Sequence, residues 1–226
     1  MAKPKTDEER AETKIIDIAR PQFNVIEIPI VGTAKYVSNR FSDVSKGTII
    51  TDQAIGEVEA KAKKRSKAKP ARDFEAIGRD SLHTSKDGWH GIPTMAFRAA
   101  LVRACYAEGI DMTHAKQCLF ILPDGEDQDC NGMVRIHGSG PAIRQRPVIW
   151  QRKSGIVSAG EFDQWSCLLR VKYLAKAFTP RAIASLVVYS GISIGVGAGR
   201  PFSKASVGQG WGTFEIDESA VAQAAE

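Results

Sequence analysis

The sequence predicts an α+β fold whose core elements run in the order β-α-β-β-α-β. Three observations predict it. Residues 24–31, NVIEIPIV, alternate and are rich in β-branched side chains, the pattern of a half-buried strand. Residues 92–109 repeat apolar side chains with a helical period, and residues 179–190 open on Thr-Pro and continue apolar. Short apolar runs at 117–122, 167–174 and 212–217 supply the remaining strands.

Residues 1–20 are mostly charged and read as a loose arm or a short helix. The strand at 24–31 follows, and residues 33–90 are a long insertion broken by Gly47 and Gly56. In the helix at 92–109, Thr94 is placed to cap and Phe97, Leu101, Ala104 and Cys105 form one buried stripe. Arg98 and Arg103 fall outside that stripe, and Gly109 is the expected left-handed terminator. QCLFIL at 117–122 is the second core strand, stopped by Pro-Asp-Gly. Residues 123–165 are a second, irregular insertion with short strands near 133–137 and 146–150. CLLRVKYL at 167–174 is the third core strand. A helix over 181–190 then turns Ile183, Leu186 and Val187 inward and ends at Gly191. A Gly-rich loop over 197–212 leads to the last strand, GTFEID, and residues 218–226 read as a frayed tail. This is one domain in the split-βαβ, or ferredoxin-like, order, with two helices on one face of an antiparallel sheet. The other face is then open, and in RNA-recognition modules that face carries nucleic acid.

Composition bounds the function. The chain has 226 residues, 43% hydrophobic and 25% charged, which excludes wholesale disorder. Its net charge of +5 is local: residues 61–72 hold Lys61, Lys63, Lys64, Arg65, Lys67, Lys69 and Arg72, and the rest sums to 5 − 7 = −2. That run reads as a phosphate-contacting arm or as a solvated linker. Residues 133–160 contain no acid, which makes a second basic zone. Four cysteines without a CxxC pair point to reduced thiols in a cytoplasm, with no structural zinc. The charged N-terminus shows no secretory signal, and the uncharged stretch 182–199 is too rich in Gly and Ser to predict a membrane span.

The strongest functional segment is GVGAGRPFSKASVGQGWGTFEI from Gly195. Glycines alternate at 195, 197 and 199 and again at 208, 210 and 212, with Arg200 and Lys204 between them. Read as an extended strip, it would let a ligand backbone lie on Gly197 and Gly199, with Arg200 and Lys204 on phosphates and Trp211 or Phe202 as a stacking surface. Read as a tight turn, the same glycines serve only close packing. It matches neither a Walker loop nor a dinucleotide fingerprint. The start of the 92–109 helix, with Arg98 in its first turn, could hold an anion or be ordinary capping. His83, His90, His114 and His137 are scattered, and the acids at 126, 127 and 129 lack the remainder of a calcium loop, so no catalytic residue, metal or cofactor is expected.

Together, Ile92-Pro93-Thr94-Met95-Ala96-Phe97-Arg98-Ala99-Ala100-Leu101, the loop Gly195 to Phe214 and the strand reaching Val31-Gly32 resemble the RAMP superfamily, the RNA-binding subunits of CRISPR effector complexes. Thr94 and Met95 stand where Gly and Ser are usual in that family. The resemblance implies a ferredoxin-like core, a thumb at residues 33–90 and a non-catalytic subunit that multimerises along single-stranded RNA, alone or with other effector subunits. The chain also looks similar to phage-encoded proteins, which implies a relative outside a CRISPR locus. Asp43 is the only acid near the place of the family's slicing residue, and its surroundings do not match, so cleavage is not carried over. An endoribonuclease using His90 or His137, a phage single-stranded DNA-binding or annealing protein, and an assembly protein whose loop only packs are the alternatives.

Overall fold

A strand in the middle of a sheet must find partners for its backbone groups on both edges, and the β-branched run near the N-terminus does so. The computed structural model describes residues 19–55, 72–150, 153–203 and 208–223. β1 (Phe23–Gly32) and the two-residue β2 (Tyr36–Val37) lead into α1 (Asp43–Ile55) and α2 (Phe74–Asp80). β3 (Gly91–Pro93) runs straight into α3 (Thr94–Ala107), followed by α4 (Met112–Cys118) and β4 (Leu119–Leu122). Next come β5 (Gly125–Glu126), β6 (Gly132–Arg135), β7 (His137–Gly138), β8 (Ala142–Trp150), β9 (Lys153–Phe162) and β10 (Trp165–Leu174). α5 (Pro180–Tyr189), a π-helical turn (Ser190–Ile194), β11 (Phe214–Ile216) and α6 (Glu218–Gln223) complete the order.

The main sheet has the order β11-β1-β10-β4, and each neighbouring pair is antiparallel. The fold is therefore α+β with antiparallel sheets. Register puts Ile28 and Ile30 of β1 opposite Leu169 and Cys167 of β10, all buried on one face. Leu119 and Ile121 of β4 and Phe214 of β11 join them. Phe97, Leu101, Ala104 and Cys105 of α3 and Ile183, Leu186 and Val187 of α5 pack into the same core. Alternation sends Phe23, Val25, Leu168 and Lys172 to the opposite face, where Val25 and Leu168 are exposed.

The two insertions form structure with each other. β8 and β9 are a long antiparallel hairpin, and β2 pairs with the end of β9. α2 packs on this three-stranded sheet through Gly78, which leaves room for no side chain against Ile143 and Ser158. Arg40 ties the first insertion together, donating to Asp43 and Asp80 at 2.8 Å. A second small sheet, β3-β6-β5, fixes the start of α3.

Several sequence expectations are corrected. Thr94 does not cap α3: the helix begins at Thr94 itself, directly after Pro93, because paired β3 already positions the chain. Its C-terminus is as expected: Gly109 has φ +77°, and Ile110 N–H bonds Cys105 O at 2.8 Å, a Schellman closure. β4 starts at Leu119 rather than 117, since residues 112–118 form α4, capped by the Asp111 carboxylate on His114 N–H. The irregular segment 123–165 contains β8 and β9 at full length rather than a short strand at 146–150. Thr179 caps α5, with Pro180 in its first turn, as expected. Gly191 does not end that helix: the π-helical turn carries on to Ile194, and Gly191 is required because the Phe214 carbonyl would lie 2.0 Å from any Cβ. The segment after Asp217 is a capped helix to Gln223, not a frayed tail. The N-terminal arm 1–18, the basic residues Lys61, Lys63, Lys64, Arg65, Lys67 and Lys69, and residues 224–226 lie outside the described residues. No helix among the described residues is long and apolar enough to cross a membrane.

Candidate nucleic-acid interface

The Gly-rich loop is a coil folded on itself, not an extended strip. All six alternating glycines have φ between +65° and +80°, a region open to glycine and strained for other residues. At Gly197 a Cβ would sit 2.5 Å from the Tyr36 ring and 2.6 Å from Val37 O. Ala198 N–H bonds Val37 O at 2.9 Å, and Gly212 N–H bonds Lys35 O at 2.8 Å, so the loop is stitched to β2 and the residue before it. Gly199 lies flat against the indole of Trp211. Except at Gly210, the bare glycine surface is thus occupied by the protein's own chain.

What the coil leaves open is a cavity of about 350 Å³ against α3. Its walls are the Gly195–Gly197 main chain, Ala96 and Ala100 of α3, and the side chains of Arg103, Arg200 and Phe202. No carboxylate lines it among the described residues. Arg200 is half-buried and donates to Gly197 O at 3.0 Å, which holds the loop's first turn. The Arg103 guanidinium lies 4.2 Å from the Phe202 ring centroid and 5.1 Å from that of Tyr106. Stacking on a ring leaves guanidinium edge donors free, so the cavity presents two cations, an aromatic face and small helix residues.

Outside the cavity lining the loop carries Trp211. Lys35 Nζ is 4.5 Å and the Arg146 guanidinium 4.4 Å from the ring centroid. Both cations, with Arg144, also contact Glu161 of β9, whose side chain is fully buried. Arg144 donates to Asp163 at 2.8 Å and, by that hydrogen bond first, holds the Asp163 carboxyl below its ordinary range.

The sequence-derived residues therefore separate. Arg200 and Gly197 line the cavity, Trp211 packs on Gly199 outside that lining, and Lys204 lies outside the described residues. Arg98 is elsewhere: it donates to Leu119 O at 2.9 Å and to Lys116 O, stacks on Phe120 at 4.7 Å, and so closes the C-terminus of α4. Arg103 and Lys35 are not among the candidate binding residues of the sequence, and Arg144 and Arg146 enter it only as part of the acid-free basic zone. The available signals were Arg103 on the Ala96–Ala100 side of its helix, and the two-residue spacing of Arg144 and Arg146 in the acid-free stretch.

No histidine lines the cavity. His90 is bonded to Thr84 Oγ1 at 3.1 Å and packs on Phe162, and His137 is exposed on β7. His83 has a buried Nδ1 with no hydrogen-bond partner among the described residues. Burial pushes its imidazole down to about 4, against the pull of Asp127. The unfolded chain then binds a proton that the folded chain refuses between pH 6.5 and 4, so stability is lost as pH falls through that window. Discounting for partial exposure, wild type should lose roughly 1–2 kcal/mol more than His83→Gln between pH 7 and 4.5. Urea midpoints at the two pH values measure it, and equal losses in both proteins contradict it. Among the described residues no cluster of His, Cys, Asp or Glu could hold a metal ion.

No protein-family model matches the chain, and a comparison with curated proteins returns no match.

Proposed function

We propose that the chain is a non-catalytic subunit that binds single-stranded nucleic acid, RNA in the first instance, and lines up in several copies along the strand. The carboxylate-free cavity that joins Arg103, Arg200 and Phe202 to the Gly195–Gly197 main chain carries the reading. The two cations offer donors to phosphates, and the Phe202 ring on which Arg103 stacks adds an aromatic surface beside them. The ferredoxin-like reading of the core is supported by the sheet order β11-β1-β10-β4, which in core-strand numbers is 4-1-3-2. With the RAMP resemblance of the helix start and the Gly-rich loop, that order favours an RNA partner. Residues 61–72 would add a sequence-independent electrostatic term.

Fluorescence anisotropy with labelled 10- and 40-nucleotide RNA, and with DNA of the same sequence, tests the reading. Wild type should bind the 40-mer more tightly than the 10-mer, with several copies per strand and affinity falling steeply with salt. Arg103→Ala with Arg200→Ala should weaken binding about thirtyfold or more, the sum of two charge-assisted contacts at about 1 kcal/mol or more each. No binding by wild type at low salt removes the proposal. Binding unaffected by the double substitution moves it away from this cavity, and tighter binding of DNA replaces the RNA partner.

A further inference from the structure

The faces of the Trp211 ring are used within the protein. Gly199 packs against the indole, and Lys35 and Arg146 lie over it at 4.5 and 4.4 Å. The side chain expected to stack on a base instead holds cations. Those cations share a second anchor. Lys35 Nζ is 3.5 Å and Arg144 Nη1 3.3 Å from Glu161 Oε2, and Arg146 Nη2 donates to the same oxygen. Glu161 is 0% exposed, while the side chains of Lys35, Arg146 and Arg144 are 24, 25 and 42% exposed. The carboxylate is thus at the bottom of the cluster and the cations reach solvent. With Asp163 included, three cations face two carboxylates, leaving 3 − 2 = +1. Glu161 Oε1 and Arg146 Nε are buried with no partner among the described residues, so the cluster's hydrogen bonding is incomplete as it stands.

A buried carboxylate that gathers three cations raises their local density and fixes their direction. Arg144 and Arg146 are two residues apart on β8, on one face of the hairpin, about 7 Å apart along the strand. Such a row suits successive phosphates better than one compact anion. We propose that Lys35, Arg144 and Arg146 form a preformed phosphodiester-binding claw beside the Gly-rich loop and outside the cavity lining, with Glu161 and the Trp211 ring as its positioning residues. The inference rests on the nucleic-acid reading and adds to it a second contact that reads backbone phosphate and not base.

The test compares wild type, Lys35→Gln, Arg146→Gln and Glu161→Gln on 40-nucleotide oligouridine across a salt series, and on a 20-unit abasic deoxyribose-phosphate strand. Lys35→Gln and Arg146→Gln, both at partly exposed positions, should each weaken binding three- to tenfold and lower the salt slope by about 0.7. The fold-loss should be the same on both strands, because the phosphate is common to them. Glu161→Gln adds a unit of positive charge, so a purely electrostatic role requires tighter binding; the claw requires binding at least threefold weaker at a urea midpoint showing a folded protein. Tighter or unchanged binding by Glu161→Gln, unchanged affinity and slope in both cation variants, or a loss confined to oligouridine would each overturn the claw. If wild type binds neither strand, the nucleic-acid reading fails first and the claw with it; if wild type binds and only the cation variants are silent, the claw alone fails.

Discussion

Trp165→Ala should cost about 5 kcal/mol of unfolding free energy, a large part of the 5–15 kcal/mol that holds a domain of this size folded. Trp165 is 2% exposed at the start of β10. Its ring meets Tyr36 at 5.9 Å and, edge to face, Phe214 at 6.1 Å. Its indole N–H donates to Ala34 O at 2.8 Å. Gly32 has no room for a Cβ beside it, since that atom would fall 2.1 Å from Nε1. One side chain therefore joins β10, the β1–β2 turn and β11. Truncation removes the ring's burial and leaves a cavity, about 3–5 kcal/mol. It also strands the Ala34 carbonyl, for about 1 kcal/mol or more. Trp165→Phe keeps much of the ring and loses the hydrogen bond, and should cost about 1–2 kcal/mol. Urea denaturation at unchanged m-value measures both, and a loss under about 2 kcal/mol for the alanine variant would show that the three elements dock without it. The consequence reaches the candidate interface, because the same turn delivers Lys35 to Trp211.

The elements legible in the sequence were those whose signals are local. The alternation of NVIEIPIV, the Thr179-Pro180 start of α5 and Gly109 after α3 each carry their structural reason within a few residues. The long β8–β9 hairpin has no such signal. The chain between Trp150 and Lys153 contains no Asn-Gly or Asp-Gly, and the outward residues of β8 at 144 and 146 are arginines. Its pairing with β2 joins residues 36–37 to 161–162, which no window can see. Of α4, only Gln117 and Cys118 fall in the apolar run that reads as a strand; its inward residues Met112, Ala115 and Cys118 make a stripe of three positions, too short to mark a helix. At the candidate site the residue types were legible and their directions were not. Arg98 and Arg103 both fall outside the buried stripe of α3, yet one closes α4 and the other faces the cavity. Trp211 reads as a stacking surface until Gly199, Lys35 and Arg146 are seen around it. Alternating glycines look alike whether they make room for a ligand or for the protein's own carbonyls.

Gly212→Ala separates those two uses of glycine and should have the largest effect on binding of any single substitution in the loop. Gly212 has φ +65°, and its Cβ would lie 1.9 Å from Val196 O. Its neighbours cannot yield cheaply, because Val196 N–H bonds Gly212 O at 2.9 Å and Gly212 N–H bonds Lys35 O at 2.8 Å. The obstructing atom is main chain, so the methyl group must push the two arms of the loop apart. That breaks a hydrogen bond and moves Gly195–Gly197, one wall of the cavity, away from α3. It also moves Trp211, the adjacent residue, from between Gly199 and its cations. RNA affinity should fall at least tenfold, with a stability loss of about 3 kcal/mol from the left-handed backbone and the collision together. Gly210→Ala is the control: Gly210 has φ +73°, so it carries the same backbone strain, about 1 kcal/mol, but nothing lies within 4 Å of its Cβ. It should leave affinity within twofold of wild type. Equal losses in the two variants would mean that backbone freedom, not the fit of Gly212 against Val196, shapes the site; no loss in Gly212→Ala would mean that the loop does not form the binding surface.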